Sequence, residues 1–196
     1  MSVAVVDGGG ANLGSVLAAL HRLGADAVLT RDAQEIARAS HVILPGVGAA
    51  APAMQRLRER GLDAAIRGLS QPVLGICLGM QLLYERSDEG DTPCLGLIPG
   101  SVARMDPAPG ARIPHMGWNR LDVLRATPLV SGIDGQGYAY FVHGYAAPVG
   151  RETVAGCEHG RRFAAVVSHR NFHGFQFHPE RSAAVGARLL KNFLES

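Results

Sequence analysis

Short runs of apolar residues alternate with segments of helical spacing along the first half of the chain. The apolar runs, at residues 3–6, 27–29, 42–44 and 73–76, have the length and composition of buried strands. Segments 12–24, 32–39 and 53–69 predict helices, with Asn12 or Ser15 as the cap of the first helix and Gly24 as its stop. Strands that alternate with helices indicate an α/β fold with a doubly wound, mostly parallel sheet covered on both faces.

The second half is richer in turn residues and strand-like runs. These runs lie at 102–105, 121–124, 138–142 and 163–167, and a last helix is predicted over 183–194. We expect mixed and antiparallel strands that extend the sheet and carry loops over the functional site. Within this half, Trp118 is either a core anchor or part of a partner surface or site rim, and composition leaves both open. At 196 residues, the chain 1–196 is expected to form one domain.

Composition and charge narrow the class of protein. Hydrophobic residues make up 47% and charged residues 18%, which is typical of a compact globular chain. The net charge of +2 is too small to argue for nucleic acid or a membrane surface. Three cysteines without a recognisable signal peptide favour free thiols in a reducing compartment, so a cytoplasmic location is expected.

Neither a nucleotide cofactor nor a metal is expected. Gly8 and Gly10 follow the first strand as in a dinucleotide-binding turn, but Leu13 stands where the third glycine should fall. The tightest cluster of metal-ligand types, Cys157-Glu158-His159, has no second pair at the spacing of a zinc site.

The strand at 73–76 runs into Gly75-Ile76-Cys77-Leu78-Gly79, and a helix is predicted over 80–85. This is the pattern of a nucleophile elbow, with Cys77 in place of serine. Gly75 and Gly79 remove side chains where strand and helix approach closely, and the unpaired N–H groups at the helix start favour the thiolate. A buried structural cysteine beside two packing glycines is the alternative.

A candidate base for this nucleophile lies near the end of the chain. Residues 172–177 alternate aromatic and polar side chains like a strand and lead into His178-Pro179-Glu180. A cysteine nucleophile needs a base and a third group that orients it, and His178 and Glu180 supply both. A histidine at a strand end is more often structural, but its combination with an elbow favours the catalytic interpretation.

The segment Pro45-Gly46-Val47-Gly48 follows the third strand. Glycines there can turn backbone N–H groups outward into a cavity. In an elbow enzyme such a loop supplies the second oxyanion donor, while the first is the N–H of the residue after the nucleophile, here Leu78. An ordinary turn before a helix is the alternative.

Several motifs together resemble those of the class I, triad-type glutamine amidotransferases. They are GICLGMQ at 75–81, PGVG at 45–48 and QFHPE at 176–180. Four more segments narrow the resemblance to the glutaminase subunits of imidazole glycerol phosphate synthases, a subfamily of histidine biosynthesis: NLGSV at 12–16, GLIPG at 96–100, PHMGWN at 114–119 and YFVHGY at 140–145. The resemblance implies the flavodoxin-like class I glutamine amidotransferase fold.

The resemblance also implies a reaction. Cys77 would attack the side-chain amide of glutamine while His178, oriented by Glu180, transfers the protons. The oxyanion would be held by the N–H of Leu78 and an N–H of the Val47-Gly48 loop. Ammonia would leave, and water activated by His178 would hydrolyse the thioester to glutamate.

Substrate contacts follow from the same resemblance. Gly46, Gln81 and Glu89 match positions that hold glutamine, the last two at its α-amino and α-carboxylate ends. Tyr145 would close the pocket. Gly144 stands where relatives commonly carry a small hydroxyl residue, so no side-chain contact is expected there.

The family passes ammonia to a partner, a (β/α)₈ cyclase subunit in a heterodimer, which makes imidazole glycerol phosphate and aminoimidazole carboxamide ribotide. We hypothesise that the Val47-Gly48 peptide turns to its donor orientation only when cyclase and its ligand bind, because glycine permits both orientations. Two alternatives stay open. One is a different triad glutaminase or γ-glutamyl hydrolase; the other is a non-catalytic relative that senses oxidation through Cys77, against which the His178/Glu180 pair argues.

Overall fold

The computed structural model describes residues 2–9, 13–133, 135 and 137–196. The strands are β1 (Ser2–Val6), β2 (Asp26–Thr30), β3 (His41–Gly46), β4 (Val73–Cys77), β5 (Tyr84–Ser87), β6 (Thr92–Pro93), β7 (Ile98–Arg104), β8 (His115–Arg120), β9 (Asp122–Val123), β10 (Tyr138–His143), β11 (Tyr145–Ala146), β12 (Thr153–His159), β13 (Arg161–His169) and β14 (Phe172–Phe175). The helices are α1 (Leu13–Arg22), α2 (Ala33–Arg38), α3 (Ala50–Glu59), α4 (Leu62–Arg67), α5 (Leu78–Leu82) and α6 (Ala183–Leu194).

The centre of the fold is an eight-stranded sheet in the order β2-β1-β3-β4-β14-β13-β12-β9. Strands β2, β1, β3, β4 and β14 pair in parallel, and β13, β12 and β9 continue the sheet in antiparallel pairs. The predicted α/β class, with a mostly parallel sheet and added antiparallel strands, is therefore confirmed.

Both faces of the central strands are buried. Along β1, Val3 and Val5 belong to one hydrophobic cluster, whereas Ala4 and Val6 belong to another. Successive side chains of a strand point to opposite faces, so the two clusters lie on opposite sides of the sheet. Buried residues of α1 and α6 join the first cluster and those of α3 and α4 join the second.

Two of the four strands predicted in the second half do not extend the main sheet. Strand β7 lies in a four-stranded sheet of order β11-β7-β5-β6, and β10 pairs with β8 in a separate two-stranded ribbon. Strands β13 and β9 do extend the main sheet, although β9 is shorter than the predicted run. Local alternation of side chains predicts a strand but not its partner, because pairing depends on contacts far apart in sequence.

The helix predictions need three corrections. The segment 53–69 forms two helices rather than one, because Gly61 adopts a left-handed φ of +65° between α3 and α4. The segment 80–85 is wrong as a helix: α5 begins at Leu78 and ends at Leu82, and β5 follows at once. Ser15 lies inside α1 rather than at its cap.

The remaining helix predictions that fall on described residues agree with the structure. Asn12 lies outside the described residues, Gly24 follows α1 with a φ of +78°, and Asp32 caps α2 by accepting from two backbone N–H groups. Helix α6 spans the predicted 183–194. Across the described ranges, no helix combines the length and apolar character needed to cross a membrane.

Candidate active site

Cys77 lies at the turn between β4 and α5. It is the last residue of β4 and the residue before the first turn of α5, with φ +54° and ψ −112°. A non-glycine residue in such a conformation carries strain of about 1–3 kcal/mol and persists only where the surrounding structure imposes it. The strand-turn-helix elbow expected at this position is therefore present.

The glycines around Cys77 let α5 lie directly on the strand backbones. A Cβ atom at Gly79 would overlap the carbonyl oxygen of Leu44, and a Cβ at Gly75 would lie 2.6 Å from the carbonyl oxygen of Gly79. Gly46 pairs with Cys77 in the β3–β4 ladder, and a Cβ there would lie 2.6 Å from the N atom of Gly79. The predicted close approach of strand and helix is confirmed, and it extends to Gly46.

A cavity of about 190 Å³ opens beside the elbow. The expected site residues that line it are Cys77, Leu78, Val47, Gly48, Gln81, Glu89, Tyr145 and His178. Gly46 and Glu180 are not in its lining: Gly46 packs under α5, and Glu180 lies behind His178. Val142 and His143 also line it. They belong to the motif at 140–145, but their alternating pattern predicted only a strand.

His178 and Glu180 form a buried pair at the cavity. Nδ1–H of His178 donates to Oε1 of Glu180 at 3.0 Å, and the Glu180 side chain is 1% exposed. Pro179 begins the short 3-10 turn that brings the two side chains together. Burial lowers the pKa of His178, but hydrogen bonds and negative charge from Cys77 and Glu180 outweigh it and raise the pKa to about 10.

A second histidine at the cavity, His143, is not available as a base. Its Nδ1 lies 2.9 Å from the carbonyl oxygen of Tyr145, which can only accept, so Nδ1 carries the proton. Its Nε2 therefore accepts from Nδ1–H of His115, at 3.1 Å. Burial, with a smaller contribution from His115, lowers the pKa of His143 to about 3. Both ring nitrogens of His143 are therefore engaged in hydrogen bonds, whereas His178 uses Nδ1 to bond Glu180.

Gln81 and Glu89 present acceptor oxygens to the cavity. Nε2 of Gln81 donates to the carbonyl oxygen of Tyr145 at 2.9 Å and to Oε1 of Gln176 at 3.0 Å, so its amide oxygen remains for a ligand. Oε2 of Glu89 accepts from the N–H of Ala50, the first residue of α3, at 2.8 Å. Two residues with acceptor oxygens in the lining of one cavity suit a positively charged group of a ligand.

The Val47-Gly48 loop and Leu78, at the start of α5, both line the cavity. Gly48 has a φ of +91°, which favours glycine, and a Cβ there would meet no atom within 4 Å. Leu78 is the first residue of α5, and an N–H at that position has no partner within its helix. The two segments expected to supply backbone N–H groups to an oxyanion therefore line the same cavity as Cys77.

Trp118 is not a core anchor. It is 53% exposed on β8, and Met116 on the same strand is 64% exposed. The Trp118 ring contacts the ring of Tyr140 edge-on, with centroids 6.0 Å apart, and the carbonyl of Tyr140 accepts from the N–H of His178. The exposed face of the β8–β10 ribbon is therefore joined directly to the backbone of His178.

A metal centre finds no support in the described part of the chain. Nowhere in it do three or more His, Cys, Asp or Glu side chains gather so that they could hold a metal ion. Cys157 is fully buried on β12, and Nε2–H of His159 donates to the carbonyl of Arg112.

The arrangement can carry out covalent catalysis. A thiol on a strained turn, an imidazole that lines the same cavity and a buried carboxylate hydrogen-bonded to that imidazole are the parts needed to attack a carbonyl carbon and move a proton.

Comparison with known proteins agrees with this geometry. The family model for glutamine amidotransferase class-I matches residues 4–196. The chain is 61% identical to imidazole glycerol phosphate synthase subunit HisH of Xanthomonas axonopodis pv. citri, over 98% of this chain and 96% of that protein. It is 56% identical to the subunit of the same name from Xylella fastidiosa strain 9a5c, with the same coverage.

Solved structures support the fold. The crystal structure of a glutamine amidotransferase matches with a TM-score of 0.76 and 23% identity, covering 98% of this chain and 97% of that one. The structure of PurLQS from Thermotoga maritima matches with a TM-score of 0.74 and 20% identity, covering 99% and 97%. With the matched family model spanning nearly the whole chain, the protein belongs to the class I glutamine amidotransferases.

Proposed function

We propose that the chain is the glutaminase subunit of an imidazole glycerol phosphate synthase and acts in histidine biosynthesis. The names of its relatives at 56–61% identity support the assignment. The observation that carries it is the meeting of Cys77 and His178 in one cavity, with Glu180 buried behind the imidazole. Residues 1–196 then act as a single glutaminase domain.

In this proposal Cys77 attacks the side-chain amide carbon of glutamine. As Cys77 attacks, its thiol proton passes to His178, and the hydrogen bond and negative charge of Glu180 stabilise the resulting imidazolium. His178 then protonates the leaving ammonia and, as a base, activates the water that hydrolyses the γ-glutamyl thioester. Glu180 holds the ring by Nδ1 and stabilises its positive charge.

The oxyanion of the tetrahedral intermediate is assigned to the N–H of Leu78 and an N–H of Val47 or Gly48. One donor of this kind is typically worth about 10²- to 10³-fold in rate. Gln81 and Glu89 hold the α end of glutamine, and Tyr145 closes the pocket. Gly46 acts by letting α5 lie close to β3 rather than by touching glutamine.

A cyclase subunit is the proposed partner, because ammonia released into water at neutral pH is protonated and lost as a nucleophile. The exposed Met116 and Trp118 on the β8–β10 ribbon support a docking face beside the cavity. A cytoplasmic location is part of the proposal, since Cys77, Cys94 and Cys157 are all free thiols. The Val47-Gly48 peptide is proposed to reach its donor orientation only in the complex.

The test is glutamate release from glutamine by the purified chain, alone and with the cyclase subunit and its formimino carboxamide ribotide ligand. Strong stimulation that disappears in Cys77→Ala is expected. Equal turnover with and without cyclase would point instead to a γ-glutamyl hydrolase. No turnover in either condition, with ready sulfenic acid formation at Cys77, would favour an oxidation sensor.

A further inference from the structure

Two buried side-chain amides meet beneath the cavity wall. Gln81 on α5 and Gln176, just after β14, are 4% and 0% exposed. Nε2 of Gln81 donates one hydrogen to Oε1 of Gln176 at 3.0 Å and the other to the carbonyl oxygen of Tyr145 at 2.9 Å. Gln81 lines the cavity, whereas Gln176 does not.

The contacts determine which way the Gln81 amide faces. The Tyr145 carbonyl can only accept, and turning the Gln81 amide over would bring its oxygen against that carbonyl and against Oε1 of Gln176. His143 donates to the same carbonyl and holds it in place. With both N–H groups of Gln81 directed into the protein, its oxygen is the atom left for the cavity.

Burial of the Gln176 side chain in this pair has an energetic cost. Its backbone N–H bonds to Ala165, but its side-chain Nε2 is buried with no hydrogen-bond partner among the described residues. An unpartnered buried amide nitrogen is unfavourable, and an apolar side chain of similar volume would avoid it. The amide oxygen is therefore the useful polar group of the Gln176 side chain, and among the described residues its hydrogen-bond donor is Gln81.

We propose that Gln176 is a positioning residue, which holds the Gln81 amide with its oxygen toward the cavity and thereby selects substrates that carry an α-ammonium group. The inference rests on the proposed function, in which glutamine is the substrate. Oε1 of Gln81 and the carboxylate of Glu89 accept from that ammonium. A site with acceptors oriented in advance discriminates strongly against an analogue that lacks the donor.

The test compares glutamine with glutaramate, the same molecule without the α-amino group. The complex with cyclase and its ribotide ligand is assayed by chromatographic measurement of glutamate or glutarate, and the ratio of the two kcat/KM values is the readout. The wild-type ratio is expected to favour glutamine by at least about 100-fold. Gln176→Met, which removes the acceptor at similar volume, is expected to lower that ratio about tenfold, mainly through the KM for glutamine.

Two further variants separate positioning from a merely structural role. Gln176→Glu retains an acceptor oxygen and is expected to keep the ratio within about threefold of wild type. Asn192→Leu removes another buried amide, which donates to Leu129 and Ser131 from α6 outside the cavity lining. It is expected to lower the melting temperature and leave the ratio unchanged.

The outcomes are distinct. If Gln176→Met lowers the melting temperature but keeps the wild-type ratio, the positioning role is overturned. Should that variant not fold, Gln176→Asn makes the same test, because its shorter side chain withdraws the oxygen from Gln81. A wild-type complex that releases no glutamate would instead overturn the proposed function itself.

Discussion

Replacing Glu180 by glutamine tests how the buried carboxylate supports the imidazole. Gln can still accept the hydrogen bond from Nδ1–H of His178, so the geometry of the turn is preserved while the negative charge is lost. We expect kcat/KM for glutamine to fall by about 10³- to 10⁴-fold, because the imidazolium of the transition state loses its counter-ion.

The magnitude follows from the contact distance. At 3.0 Å and an effective dielectric constant of about 20, two unit charges attract each other by about 5.5 kcal/mol. The Glu180 side chain is 1% exposed, so screening by water is small. Each 1.36 kcal/mol of lost transition-state stabilisation lowers the rate tenfold. The hydrogen bond that glutamine retains offsets part of the lost attraction, so the expected decrease in kcat/KM is about 10³- to 10⁴-fold. The pKa of His178 should fall as well, since Glu180 is one of the two groups that raise it.

Glutamate release by the complex with cyclase and ribotide, followed from pH 6 to 9, is the assay. Glu152→Gln is the matched control, because Glu152 faces Nδ1 of His169 at 3.6 Å in a second His–Glu pair that does not line the cavity. Its kcat/KM should change by less than about twofold. If Glu180→Gln retained more than about a tenth of wild-type activity, the electrostatic role assigned to the carboxylate would be refuted.

Three further perturbations address the elbow and its loop. In Cys77→Ser the pKa of His178 should fall from about 10 toward 6.5, seen by NMR titration of the ring. Protonation of His178 contributes fully to the free energy of unfolding below about pH 6.5, and this contribution is lost as the pH rises through about 10. Between these two pH values, wild type should therefore lose more stability than Cys77→Ser. Gly79→Ala should cost about 3 kcal/mol or more, because its Cβ overlaps the backbone of Leu44, and a melting temperature within about 2 °C of wild type would contradict this. Gly48→Ala meets no atom, but alanine at φ +91° is strained by about 1–3 kcal/mol and limits the turning of the peptide, so the melting temperature should fall by a few degrees and glutaminase activity at least about tenfold; unchanged activity would argue against a role for that loop conformation.

Local patterns predicted much of the site. The elbow at Cys77 was recognisable because glycine is needed on both sides of the turn, and the overlap that a Cβ would cause at Gly75 or Gly79 is the physical reason. His178 and Glu180 are two residues apart, so their contact depends on one short turn rather than on the rest of the fold. Exposure of Trp118, by contrast, could not be decided from composition, since an aromatic residue serves a core and a docking face equally well.

The sequence by itself determined the α/β class, the parallel core strands, the elbow at Cys77 and the pairing of His178 with Glu180, because these depend on side-chain periodicity and on spacings within a few residues. Only the tertiary structure decided that β7 and β10 leave the main sheet, that burial keeps His143 neutral, and that Gln176 meets Gln81. Gln81 and Gln176 are 95 positions apart, and their contact exists only because β4 and β14 pair side by side. Local propensities carry no information about such contacts, since hydrogen bonds between distant segments form only after the sheet has brought their strands together.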